Sequence, residues 1–306
     1  MKKKILNQLQ GSFVPNVTIV QQTSSQQPAT GNQQPGTRNQ QPATIFFLLI
    51  FTLLFSGCEK VIDVDLNNAA PVIVIEGNLS NNLNDAEVKL SMTSSYFDTL
   101  PSDKISGAVV TVESNFGDKY IFSETENGIY KSKNVWYKEG SIYKLLVKAN
   151  GEMYEATSKL NSPVNIDSIN FYYEDSPFFE PGYYLNVYLS DPPGIKNFYR
   201  IKYSKNGKLQ NTIDDLILFN DRYVDGNPIE VNLFNQQFEL NDTITLQLIS
   251  LDEGAYEYLR TFQELVNNNP GSAAPANPNT NLSNGALGYF SAWSSVKKSA
   301  VIKMEE

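Results

Sequence analysis

The run Gly107-Ala108-Val109-Val110-Thr111-Val112, followed by Asn115-Phe116-Gly117-Asp118 and then Lys119-Tyr120-Ile121-Phe122-Ser123, sets two alternating arms around a short turn. Alternation with period two places one set of side chains on each face of a pleated strand, and a polar, glycine-containing turn folds the second arm back antiparallel to the first. The pattern spreads in both directions. Upstream, Val72 to Glu76 and Ala86 to Met92 predict two strands. Downstream, Gly128-Ile129-Tyr130, Ile142 to Lys148 and Met153 to Ser158 follow, with a turn at Asn150-Gly151. About seven short strands with turn residues every 8 to 12 positions predict a β-sandwich over residues 70–162.

After Ser162-Pro163 the pattern restarts in a more aromatic form, predicting a second domain over residues 163–306. Ile166 to Glu174 and Tyr183 to Ser190 predict strands on either side of a proline-containing loop, and Asp191-Pro192-Pro193-Gly194 predicts a turn. Phe198 to Tyr203 alternates, and Asp215 to Phe219, Pro228 to Leu233 and Thr243 to Ile249 continue the series. One helix interrupts it, over about 251–267. Ser250 and Glu253 have capping-box spacing, and Ala255, Tyr256, Leu259, Phe262 and Val266 form an apolar stripe. A long Pro/Asn-rich connection, Asn267 to Asn284, precedes two final strands, Ala286 to Trp293 and Val296 to Lys303. The expected architecture is mainly β: an immunoglobulin-like or transthyretin-like sandwich, then a second antiparallel sandwich or barrel-like domain with one packed helix.

The chain has no histidine and one cysteine, Cys58. Without an imidazole, Ser-His-Asp and Cys-His catalysis cannot be assembled, and zinc loses its usual ligands. Carboxylate catalysis and all-oxygen calcium sites remain open. Asp63 with Asp65, and Asp214 with Asp215, are close carboxylate pairs, read as solvated charge because none has the spacing of a calcium loop. No cofactor is implied. Most of the seventeen Tyr and seventeen Phe fall at alternating strand positions that packing alone favours. Phe178 and Phe179, in a loop between Pro177 and Pro181, and Trp293 are the exceptions, candidates for contacting a ligand.

Cys58 closes the segment Leu53-Leu54-Phe55-Ser56-Gly57-Cys58 behind an apolar core, Ile45 to Phe55, too short to span a bilayer. It resembles the lipobox of bacterial lipoproteins, with Phe55 where Leu is commonest. That resemblance implies that residues 1–57 are a signal peptide and that Cys58 is acylated as the first mature residue, tethered through residues 58–69. The leader is long. Lys2, Lys3 and Lys4 are separated from the apolar core by a repeat whose unit appears as Gln26-Gln27-Pro28-Ala29-Thr30-Gly31-Asn32 and again as Gln33-Gln34-Pro35-Gly36-Thr37-Arg38-Asn39. Joining Ile5 to Phe46 restores a compact leader, so residues 6–45 read as a low-complexity insertion. Removing residues 1–57 takes away four basic and no acidic residues from a chain with 24 basic and 33 acidic, leaving a net charge of −13. That balance argues against nucleic acid as a partner.

The early strand Ile105-Ser106-Gly107-Ala108-Val109-Val110-Thr111-Val112 with Gly128-Ile129-Tyr130 resembles carboxypeptidase-regulatory-like and transthyretin-like sandwiches; any antiparallel hairpin pair would give the same pattern. The wider order of features is more distinctive. Cys58-Glu59-Lys60-Val61-Ile62-Asp63, Val72-Ile73-Val74-Ile75-Glu76-Gly77, Gly107 to Val112 and the closing Gly285-Ala286-Leu287-Gly288-Tyr289-Phe290-Ser291-Ala292 together resemble the Bacteroidota lipoproteins grouped as domain-of-unknown-function family 4249. The resemblance implies an outer-membrane lipoprotein, periplasmic or surface-exposed, often accompanied by TonB-dependent transporters. The expected function is a non-catalytic binding or accessory module, held to the membrane by its lipid, with a transporter protein, a glycan or a peptide as partner. A carboxylate enzyme acting on glycans and a purely structural surface module are the alternatives.

Overall fold

The computed structural model describes residues 70–81, 86–94, 101–234, 236–267 and 277–303. Cys58, Asp63, Asp65, the leader and the tether lie outside them. Seven strands come first: β1 (Ile73–Ser80), β2 (Glu87–Met92), β3 (Val109–Ser114), β4 (Lys119–Glu126), β5 (Ile129–Lys131), β6 (Ile142–Ala149) and β7 (Glu152–Lys159). The predicted hairpin forms as β3 and β4, with Val110 opposite Phe122 and Val112 opposite Tyr120. Its inward residues Val110, Val112 and Phe122 are buried, while Ile121 on the other face is exposed. β1 does not stop at Glu76, where the expected first strand ended, but runs through Gly77 and Asn78 to Ser80. Gly77 is needed there for its size, because a Cβ would sit 2.8 Å from the Phe290 ring.

The later strands are β8 (Ser168–Glu174), β9 (Gly182–Ser190), β10 (Phe198–Lys205), β11 (Lys208–Leu209), β12 (Ile217–Asn220), β13 (Pro228–Asn232), β14 (Thr243–Leu251) and β15 (Leu287–Val301), with helix α1 (Glu253–Asn267) between the last two. β15 departs from the sequence reading. The two final strands expected at 286–293 and 296–303 are one continuous strand of 15 residues, because Ser294 and Ser295 stay in the ladder opposite Ser250 and Ile249 rather than turning.

One sheet carries most of the strands, in the order β11-β10-β14-β15-β1-β2-β5-β4-β3-β6-β7, with β12 also on β10. A separate sheet, β13-β9-β8, packs against it. The first half of β15 pairs with β1 in parallel, from Val74 opposite Leu287 to Ser80 opposite Trp293. Its second half pairs with β14 antiparallel. Two apolar cores lie along it: one gathers Ile75, Leu90, Val112, Tyr143, Leu145 and Phe290, the other Leu185, Val187, Tyr199, Ile201, Leu246 and Leu248. The parallel pairing is tight at Gly288, whose φ is +100° and whose absent Cβ would lie 2.0 Å from the Ile75 carbonyl oxygen.

Helix α1 covers the other face of β10, β14 and β15, with Ala255, Tyr256, Tyr258 and Leu259 buried against Ile249, Leu251, Phe198 and Tyr289. The predicted stripe is therefore correct in part, with Tyr258 and Leu265 rather than Phe262 and Val266 among the buried positions. The cap is different. Ser250 belongs to β14, and the residue that caps the helix is Asp252, whose Oδ1 accepts from the Ala255 N–H at 3.1 Å. Its other oxygen accepts from the Ser158 hydroxyl of β7, and that hydroxyl accepts in turn from the Ala292 N–H of β15 at 2.7 Å.

A second buried carboxylate, Asp242, organises the turn before β14. It accepts from the Glu239 N–H at 2.8 Å and the Asn206 amide at 2.6 Å, and pairs with Lys205 at 2.9 Å. Burial opposes ionisation, but these partners outweigh it and hold the carboxyl below its ordinary 3.8. A depressed folded-state pKa makes the contribution complete above about pH 4 and removes it as pH falls through the lower value. The urea midpoint is accordingly expected to drop between about pH 5 and pH 3, and to drop less in Asp242→Asn; equal pH profiles would contradict the assignment.

Candidate functional site

The loop joining β8 to β9, at one end of the β13-β9-β8 sheet, carries Phe178, the most exposed large hydrophobic side chain among the described residues. β8 and β9 pair with Tyr172 opposite Tyr184 and Tyr173 opposite Tyr183, so alternation puts Tyr172, Tyr184 and Tyr188 on the face opposite Leu185, Val187 and Leu189, which enter the core; Tyr184 is itself buried on that face. Tyr172 and Tyr184 stack with ring centroids 6.0 Å apart. Phe179, from the loop joining the two strands, lies edge-on to Tyr184 at 5.8 Å and 6.2 Å from Phe234, which follows β13.

That loop is held in shape by its own hydrogen bonds. Glu174 Oε1 accepts from the N–H groups of Asp175 and Ser176 at 3.1 and 2.8 Å, and the Phe179 N–H donates to the Ser176 carbonyl at 3.1 Å. The Tyr184 hydroxyl donates to the Glu180 carbonyl at 2.8 Å, and the Gln237 amide donates to the Pro181 carbonyl. The Ser176 N–H and hydroxyl, with the Asp175 N–H, hold the Glu174 carboxyl below its ordinary range. Phe178, at the tip of this braced loop, is 91% exposed. Phe234, near Phe179, is 50% exposed, and Tyr173 is 58% exposed on the other face of the sheet, against Tyr183. Large aromatic area left open on a stiff loop costs hydration free energy that a binding surface recovers on contact.

The sequence singled out Phe178 and Phe179; the structure packs Phe179 against Tyr184 and Phe234, with Tyr172 stacked on Tyr184, and leaves Phe178 projecting into solvent. Sequence spacing alone did not reveal Phe234, which arrives from a strand more than fifty residues away. Trp293 is elsewhere: it is half-buried beside α1, packed on the cluster of Ile249 and Leu251 rather than presented to a ligand. Of the carboxylate pair expected to be solvated, Asp214 is exposed but Asp215 is not idle. Asp215 accepts from the Tyr203 hydroxyl at 2.6 Å and from the Thr212 hydroxyl and N–H, each at 2.7 Å.

A carboxylate cluster that spacing could not predict joins the loops after β9 and β12. Oxygens of Asp191, Asp221 and Asp225 lie within 4.8 Å of one another, the first two residues buried. Three carboxylates are ligands of the type a hard cation takes. Each already accepts donors, however: Asp191 from the Tyr199 hydroxyl at 2.6 Å and the Gly226 N–H at 3.0 Å, Asp221 from the Asn197 N–H at 2.8 Å, and Asp225 from the Gly194 N–H at 2.8 Å. Burial and the neighbouring Asp191 carboxylate both push the Tyr199 phenol up, keeping it a donor. The arrangement clamps two loops together. Its oxygens are also closer than the roughly 5 to 10 Å that separates paired glycosidase carboxylates.

A mainly β protein with a packed helix and an exposed aromatic loop is the class that fold and surface define. The chain belongs to the family described as "Domain of unknown function (DUF4249)", whose model matches residues 59–299. No curated protein matches it. Among solved structures, the two-fibronectin-type-III-domain segment of chicken tenascin is similar at 11% identity, over 76% of this chain and 99% of that one, with a TM-score of 0.20. A likeness at that level carries no weight for fold or function.

Proposed function

We propose that the protein is a lipid-anchored, non-catalytic binding module of the bacterial outer membrane that docks on a membrane partner, a TonB-dependent transporter, through the aromatic tip of the β8–β9 hairpin. The observation that carries this reading is Phe178, held 91% exposed on a loop braced by hydrogen bonds. Two features of the sequence support it. The lipobox-like Leu-Phe-Ser-Gly-Cys segment ending at Cys58 supplies an anchor, and the absence of histidine removes the commonest general base. Acylation at Cys58 confines the module to the plane of the membrane and raises its effective concentration near a neighbouring transporter without any new contact.

The test places a photo-crosslinking amino acid at Phe178 of the full chain in its native host. A crosslink to an integral outer-membrane transporter is expected, reduced at least about tenfold by Cys58→Ser, which releases the protein from the membrane. Phe179→Ser is expected to weaken it comparably. Crosslinks to lipid alone, or an unmodified Cys58 by mass spectrometry with crosslinking intact, would reject the reading.

A further inference from the structure

The β8 strand lies at the edge of its sheet, with β9 as its one strand neighbour among the described residues. Backbone polarity along it follows from a contact on the far side of β9. Tyr183 exchanges both of its backbone hydrogen bonds with Phe238, at 3.0 and 2.9 Å, so its polar groups point away from β8. In an antiparallel ladder alternate residues face alternate neighbours. Tyr184, Asn186 and Tyr188 therefore face β8, where they meet Tyr172, Asn170 and Ser168. The N–H and C=O groups of Ile169, Phe171 and Tyr173 point to the open edge.

Natural edge strands are commonly blunted by lysine, proline, a bulge or extreme shortness. Seven-residue β8, Ser-Ile-Asn-Phe-Tyr-Tyr-Glu, has no lysine and no proline, and its pairing with β9 is regular throughout. The charge around it is one-sided. Residues 163–195 and 226–242, which supply all three strands of this sheet and their flanking loops, contain eight Asp or Glu and no Lys or Arg. Two lysines reach over from the larger sheet and are taken up: Lys205 pairs with Asp242 at 2.9 Å, and Lys298 donates to the carbonyls of Ile166 and Asp167. An anionic bilayer or a second copy of the same face would meet like charge here.

We infer that the open edge of β8 accepts an extended strand from a partner protein, one whose segment alternates basic and apolar side chains. Main-chain hydrogen bonds to Ile169, Phe171 and Tyr173 would supply the register-independent part of the affinity. By the same alternation the apolar residues, directly opposite Phe171 and Tyr173 and bonded to them through their own amides, would lie on the face of those two side chains, and the basic ones on the opposite face with Glu174 and Glu230. The inference rests on the docking role proposed above and names the chemistry of the partner.

The test uses the full chain and three synthetic peptides by fluorescence anisotropy: (Arg-Val)4, (Glu-Val)4, and (Arg-Val)4 with every valine N-methylated so that those amides cannot donate. Binding of (Arg-Val)4 is expected, weakening about tenfold between about 50 and 500 mM NaCl as screening grows. The other two peptides are expected to bind at least about tenfold more weakly. Tyr173→Pro removes an outward N–H without touching a β8–β9 bond and is expected to abolish binding, while Tyr173→Thr, which keeps the N–H, retains it. Should the proline variant not fold by circular dichroism, the N-methylated peptide still separates strand pairing from simple charge attraction. No binding of (Arg-Val)4, equal binding of the methylated or acidic peptide, or binding instead to phosphatidylglycerol vesicles would overturn the strand proposal. Because these measurements need no membrane partner, they can fail while the Phe178 crosslink persists, and that crosslink can fail while the peptide binds.

Discussion

Gly288→Ala is expected to lose about 3 to 5 kcal/mol of unfolding free energy, enough to leave much of a marginally stable chain unfolded. The added methyl would lie 2.0 Å from the Ile75 carbonyl oxygen, and from 2.8 Å to 3.1 Å from two more backbone atoms of the same residue. No rotamer relieves a clash between Cβ and backbone, so β1 and β15 must separate where Ile75 meets Gly288. The φ of +100° adds strain for any side chain, independently of the contact. Gly285→Ala is the control. It shares a positive φ, +70°, but has nothing within 4 Å of the added carbon, so a loss of about 1 kcal/mol is expected. Similar urea midpoints for the two variants would show that the close approach at Gly288 is not real.

Asp252→Ala should follow, at about 2 to 4 kcal/mol. The substitution removes the cap of α1, worth about 1 kcal/mol, and orphans the buried Ser158 hydroxyl that joins β7 to Ala292 of β15. Asp252→Asn retains a good capping side chain and should lose far less. Burial raises the Asp252 carboxyl above its ordinary 3.8, although the Ser158 hydroxyl and the N–H groups at the start of α1 work in the opposite direction. A raised folded-state pKa means the folded protein binds the proton more readily, so this group's contribution becomes less favourable as pH rises from about 4 through the raised value. The asparagine variant should therefore show a flatter stability profile across that window. A double-mutant cycle with Ser158→Ala should give a coupling of about 1 kcal/mol or more; strict additivity would mean the two side chains do not interact.

Local pattern was enough to find nearly every strand and the helix, because alternation and the 3.6-residue stripe are properties of neighbouring residues. What local pattern could not supply is pairing between distant segments. Leu287-Gly288-Tyr289-Phe290 reads as a strand in isolation, yet nothing in it announces a parallel partner some two hundred residues earlier. The same limit explains the helix cap. Ser250 has the right spacing, but the ladder opposite Ser294 claims it, and Asp252 takes the role because tertiary packing sets where β14 ends. At the aromatic loop, Phe178 and Phe179 were legible because prolines flank them. Phe234 and the Asp191, Asp221 and Asp225 clamp were not, because each depends on loops that meet only after folding.

β15 also sets an order of events during synthesis. β1 has β2 on one side from the start, but its other neighbour begins 207 residues after β1 ends. Wherever the chain emerges, at the ribosome or at an export channel, that edge stays open until residue 287 has followed. Ile75 and Leu145 cannot be sealed beneath Phe290 until then. The amino-terminal half therefore cannot mature ahead of the rest, and a chain truncated anywhere before Leu287 should be a substrate for chaperones and proteases rather than a smaller folded protein.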